Sequence, residues 1–140
     1  MRGIYVLLIE VKKDLRIRIG KLGTIDFRKG TYAYVGSAQN SLEKRVERHL
    51  KRKKRRFWHI DHLLSNPHVK VLKVFWKEEG REWECLLARK LGEKYEAVRG
   101  FGCSDCKCTS HLFKVGKRFK LPGFSILSCG GRRGEKSSAR

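Results

Sequence analysis

GTYAYVGSAQNSLEKRVERH, residues 30–49, joins a tyrosine-rich strand pattern to a basic helix pattern through Gly36. Side chains two apart on a strand share a face, so Tyr32 and Tyr34 point the same way. A helix is predicted over 41–53, with Asn40 as its N-cap and Glu43 in the reciprocal capping position. Leu42, Val46 and Leu50 recur every four residues and give it a core stripe. Arg45 and His49 are also four apart, so they stack on one face and flank that stripe. Gly36 lets the chain turn and approach a ligand closely. The planar fork of Arg45 suits a phosphate, because it bonds two oxygens at once. A tyrosine beside such a cation is expected to have a lowered pKa and to take a proton from water. The same residues also describe a solvated basic face behind packed tyrosines, and spacing leaves both readings open.

Outward from this unit, GIYVLLIEV (3–11) reads as a buried strand, because a continuous apolar run has no wet face. Residues 14–27 alternate Leu15, Ile17 and Ile19 and turn at Lys21-Leu22-Gly23, which predicts a hairpin with one dry face. A short helix is predicted over 58–65, stopping at Asn66-Pro67, then a strand over 69–76. A helix over 82–91 is expected to end with Gly92 just past it, at the position glycine favours. Residues 101–113 read as irregular, then extended. The expected fold class is α/β (α+β): one domain over 1–128 with a small, mostly antiparallel sheet and three flanking helices. The sheet is expected to contain the Tyr5 strand, the hairpin, the Tyr34 strand and the 69–76 strand. Residues 129–140 carry no apolar pattern and read as a basic flexible tail.

The chain has 140 residues, which suits one domain with a real core. Lys and Arg number 34 against 14 Asp and Glu, a net charge of +20. That excess argues for a polyanionic partner, nucleic acid foremost. The longest apolar run, 4–9, is far short of the roughly 18 residues a bilayer span needs. It also lacks the cleavage site of a signal peptide, so no membrane association and a cytoplasmic location are expected. Five cysteines without a secretion signal point to metal binding or buried thiols rather than to a disulfide framework.

Three further constellations carry chemistry. On helix 82–91, Glu84 shares a face with Leu87, Ala88 and Leu91. A carboxylate on an apolar stripe is paired or binds a metal, unless it only complements the helix dipole in the first turn. His59, Asp61 and His62 place imidazole and carboxylate together, which suits metal binding or proton transfer, with His59 the better candidate. The alternative is a polar helix start beside packing Phe57 and Trp58. Cys103, Cys106, Cys108 and His111 offer three thiols and an imidazole for a tetrahedral zinc ion. A tight turn with small buried thiols explains the same spacing.

Taken together, these residues resemble the GIY-YIG endonuclease superfamily. The naming tripeptides stand as Gly3-Ile4-Tyr5 and Tyr34-Val35-Gly36, followed by Ser37-Ala38, Glu43-Lys44-Arg45, Arg48-His49 and, on a later helix, Glu84. The continuation through 101–113 looks like a small stand-alone branch of that superfamily. The resemblance implies cleavage of DNA phosphodiester bonds to a 5′-phosphate and a 3′-hydroxyl. It implies one divalent ion, magnesium or manganese, on Glu84 and the scissile phosphate. Tyr5 or Tyr34 would orient or deprotonate the attacking water, and Arg45 would neutralise charge building on the phosphate. His49 and His59 would assist proton transfer or hold the phosphate. Tyr5 and Tyr34 lie farther apart in sequence than in typical members. The hairpin accounts for this if it is inserted between their strands; if it rearranges the sheet, Tyr32 replaces Tyr5.

No separate DNA-targeting domain is apparent, so the basic surface, with Lys51, Arg52, Lys53, Lys54, Arg55 and Arg56, is expected to hold the nucleic acid. Two other functions fit the composition. One is a non-catalytic basic DNA- or RNA-binding module, for which the charge alone suffices. The other is a zinc-stabilised adaptor built on residues 103–111.

Overall fold

The computed structural model describes residues 1–51, 55–103 and 107–128. Eight strands and three helices follow in chain order: β1 (Gly3–Val11), β2 (Leu15–Arg18), β3 (Thr24–Phe27), β4 (Gly30–Ala38), α1 (Leu42–Leu50), α2 (His59–Leu64), β5 (Val69–Lys77), α3 (Glu82–Gly92), β6 (Glu96–Ala97), β7 (Leu112–Val115) and β8 (Ser125–Ser128). Six strands form one antiparallel sheet in the order β6-β7-β4-β1-β5-β8. The class is the expected α+β one. β6, β7 and β8 add to the strands the sequence pattern marks. The expected tail, 129–140, lies outside the described residues.

β1 pairs with β4 on one side and β5 on the other. A central strand is covered on both faces, and this is why its apolar run is unbroken. Tyr5, Leu7, Ile9 and Val11 join the core shared with α1, α2 and the hairpin. Val6 and Leu8 join the opposite core with Ala88 and Leu91 of α3, Phe113, Val115 and Phe119.

The hairpin is a correction to the expected sheet. β2 and β3 pair with each other and form a separate two-stranded sheet. Leu15, Ile17, Ile25 and Phe27 turn inward against the β1 core, while Arg16, Arg18, Thr24 and Asp26 stay exposed. With a dry face already committed to packing, the hairpin sits over the sheet rather than extending it. The β1–β4 pairing is therefore undisturbed, and Tyr5 lies directly opposite Gly36.

Three helix details also differ. Ser41, not Asn40, caps α1: its hydroxyl accepts from the Lys44 amide at 3.2 Å. α1 ends at Leu50 rather than 53, with Lys51 already extended. There a run of like charges begins, and Leu50 is 41% exposed; His49 takes its place on the inward face at 2%. Gly92 is the last residue of α3 rather than the residue beyond it, and Glu93 caps. Among the described residues, no helix is long and apolar enough to cross a membrane.

Candidate active site

Antiparallel pairing places the start of β1 beside the ends of β4 and β5. α1 follows β4 and α3 follows β5, so the first turns of both helices gather around Tyr5. Between them lies a cleft of about 990 Å3 lined by Tyr5, Tyr34, Arg45, His59 and Glu84. The loop at Gly20 and Lys21, at the tip of the hairpin, lines it too. Among the described residues, Glu84 is the one acidic side chain on walls that also carry Lys21, Lys44, Arg45, Arg48, Arg56 and Arg81.

Tyr5 reaches this cleft because Gly36 has no side chain. A Cβ at Gly36 would stand 2.5 Å from both Cζ and the hydroxyl of Tyr5. The hydroxyl instead sits 2.7 Å from Nε2 of His49. His49 is not a cleft residue; it is buried behind Tyr5, where Tyr34 meets it edge-on. Tyr34 makes no side-chain hydrogen bond to another described residue. The expected lowering of a tyrosine pKa is corrected here. Burial pushes Tyr5 up, against the opposing pull of Arg45. Burial, with the charges of Tyr5, Glu84 and Asp61, pushes Tyr34 well up. Both are neutral phenols at neutral pH. Tyr32 is no substitute for Tyr5: its hydroxyl donates to the Arg28 carbonyl at 2.7 Å, away from the cleft.

Arg45 is aimed by its neighbours. Its guanidinium donates to the Ser37 carbonyl at 2.9 Å and lies 4.5 Å over the Trp58 ring. Arg48 lies 4.4 Å over the same ring. Trp58 thus holds two cations against one ring, and four donors of Arg45 are not used by Ser37. Arg48 is bound bidentately by Asp61 at 2.8 and 2.9 Å. Asp61 also accepts from the amides of Phe57 and Trp58, each at 2.8 Å. Burial raises the Asp61 pKa, but the Arg48 and amide hydrogen bonds outweigh it and hold the carboxyl below its usual range.

His59, Asp61 and His62 do not form the metal or proton-transfer cluster that their adjacency suggests. The oxygens of Asp61 are taken by Arg48 and by backbone amides. The Gly102 amide donates to Nδ1 of His59 at 2.8 Å. An accepting Nδ1 requires the proton on Nε2, so His59 is a neutral hydrogen-bond donor. Burial and the neighbouring His62 hold its pKa down.

Glu84 lies in the first turn of α3, with a side chain 22% exposed. Its Oε2 is 3.3 Å from Nδ1 of His111, which also lies 3.2 Å from the Val35 carbonyl. Of the expected cysteine cluster, Cys108 and His111 come together and are joined by Cys85: the three bring their ligand atoms within 4.8 Å of one another. The Cys103 thiol lies 3.5 Å from the Phe101 carbonyl, and Cys106 lies outside the described residues. Of the basic run, Lys51, Arg55 and Arg56 are exposed and Arg56 lines the cleft. Arg52, Lys53 and Lys54 lie outside the described residues.

Sequence reasoning missed Trp58 as the ring that Arg45 and Arg48 share, and Cys85 as a partner of Cys108 and His111. No local spacing links α3 to the segment before β7; only the fold brings them together. It also missed Gln39 on the cleft wall, whose buried Nε2 has no partner among the described residues. A model of a family described as a domain of unknown function, DUF123, matches residues 4–126. No curated protein matches the chain, and no solved structure does.

Proposed function

The chain belongs to the DUF123 family, and we propose that it is a divalent-metal-dependent endonuclease acting on DNA. The observation that carries this reading is one cleft holding Tyr5, Tyr34, Arg45, His59 and, as its one carboxylate among the described residues, Glu84, between cationic walls. Such walls attract a polyanion, and the Glu84 carboxylate has the hard oxygen donors that magnesium or manganese takes alongside substrate phosphate. An ion bound there supplies charge neutralisation at the phosphate and at the leaving oxygen.

The protein groups divide the remaining work. Arg45 binds a phosphate oxygen and stabilises the charge that develops on it. His59 donates from Nε2 to a second phosphate oxygen. Tyr5 is neutral, so it accepts a proton from the attacking water only as it passes its own to His49 Nε2, 2.7 Å away. Tyr34 orients that water.

Incubating the chain with branched, single-stranded and duplex DNA in magnesium or manganese tests the proposal. Cleavage is expected from wild type and not from Glu84→Ala, with Arg45→Ala slowed by about 10²–10³-fold. If wild type and Glu84→Ala leave every substrate equally intact, the chain is not a nuclease. The net charge of +20 favours a second reading, a non-catalytic nucleic-acid-binding module. In that case both substitutions alter affinity only as lost charges do, with no metal requirement.

A further inference from the structure

Cys85 lies on α3, while Cys108 and His111 lie on the segment that leads into β7. The sequence separates these parts, yet their ligand atoms converge to within 4.8 Å. The chemistry of the set is specific. Two thiols and one imidazole form a soft, nitrogen-and-sulfur donor set, unlike the hard Glu84 carboxylate in the cleft. A tetrahedral zinc ion, with bonds of about 2.3 Å to sulfur and 2.0 Å to nitrogen, spaces its ligands by about 3.5–3.8 Å. The three residues therefore need to close by only about 1 Å.

The contacts of the histidine suit such an ion. The Val35 carbonyl, 3.2 Å from its Nδ1, and Glu84 Oε2, 3.3 Å away, are both acceptors. Nδ1 therefore carries the proton, and the lone pair is on Nε2. This is the arrangement in which a metal-binding histidine donates its other N–H to a carboxylate or carbonyl, which fixes the ring and strengthens the ligand. Here the carboxylate is Glu84, adjacent in sequence to the ligand Cys85.

We infer that Cys85, Cys108 and His111 bind zinc, and that the ion pins α3 to the segment before β7 and, through His111, orients Glu84. The ion site stands independently of the endonuclease reading. Only the consequence for catalysis, a carboxylate positioned in the cleft by a second metal, rests on it. This zinc ion is held by sulfur and nitrogen donors and is distinct from the oxygen-bound ion proposed at the cleft.

The test uses the full chain, purified under thiol-reducing conditions, stripped of metal and titrated with zinc or cobalt(II). Wild type is expected to bind about one equivalent of zinc, as a folded structural site stays loaded. It should show the thiolate-to-cobalt charge-transfer absorption and a higher melting temperature when reloaded. Cys85→Ser and Cys108→Ser are expected to lose both signals, and Cys103→Ser to keep them. Glu84→Ala is expected to weaken zinc binding about 10–100-fold, the usual effect of removing the partner of a metal-bound histidine. Less than about half an equivalent in wild type, or unchanged cobalt absorption in Cys85→Ser, overturns the site. Unchanged affinity in Glu84→Ala overturns the coupling. None of these readouts depends on DNA cleavage, so loss of the nuclease reading leaves them standing or falling alone.

Discussion

Asp61 is fully buried yet held in its charged form, because each of its oxygens is engaged by Arg48 and one also accepts two backbone amides. Its folded-state pKa is lowered. A lowered carboxyl stabilises the fold fully above its unfolded value, about 3.9, and that contribution is lost as pH falls through the folded value. Removing one partner of a buried pair costs about 3–5 kcal/mol, and the partial exposure of Arg48 places this pair at the low end. Asp61→Asn is therefore expected to cost about 3 kcal/mol at neutral pH. Denaturant unfolding at pH 7 and again near pH 3 is the measurement, and the gap to wild type should narrow in acid. A gap that stays constant would show that Asp61 does not carry the acid sensitivity. Gly36 makes a steric demand of a different kind. Gly36→Ala puts a methyl into the Tyr5 ring, which is 1% exposed and tied to His49. Overpacking of this kind costs about 1–3 kcal/mol, read as a lower denaturant midpoint. A neutral Gly36→Ala would mean that the Tyr5 ring moves freely.

Element identity was legible wherever one physical pattern dominated. The apolar run of β1, the alternation of β2 and the Leu42–Val46 step of α1 each follow from which faces are dry. Boundaries and partners were less legible, because competing residues decide them. Asn40 and Ser41 are both residue types that cap well, and Ser41 is the one that does. Ser41 has the extended cap conformation and bonds the Lys44 amide. Ser41→Ala is accordingly expected to destabilise by about 1 kcal/mol, whereas Asn40→Ala, at an exposed position, should stay within about 0.5 kcal/mol of wild type. Urea unfolding of the two variants separates them; equal costs would refute the assignment of the cap. The site was half legible for the same reason. Arg45, Tyr5 and Glu84 are fixed by motifs within elements. The convergence of Cys85 on Cys108 and His111 depends on how α3 packs beside the segment before β7, and no local spacing encodes that.

At the scale of the molecule, the charge of +20 is not merely a solvated coat. Part of it lines a cleft that also carries the Glu84 carboxylate. Exposed pairs such as Arg16–Asp26 on the hairpin neutralise themselves locally at 2.8 Å, while Arg45 and Arg56 face the cleft with no carboxylate bound to them among the described residues. Cations that contact phosphates release counterions from nucleic acid, so log affinity falls linearly with log salt, by about 0.9 per phosphate on duplex DNA. Arg45→Ala and Arg56→Ala should each reduce that slope by about 1, and Arg16→Ala should leave it unchanged. Fluorescence anisotropy with labelled duplex across a salt series, with chelator present to prevent cleavage, reads the slopes directly. If Arg16→Ala lowers the slope as much as Arg45→Ala does, the polyanion lies over the general surface and the cleft has no privileged role in holding it.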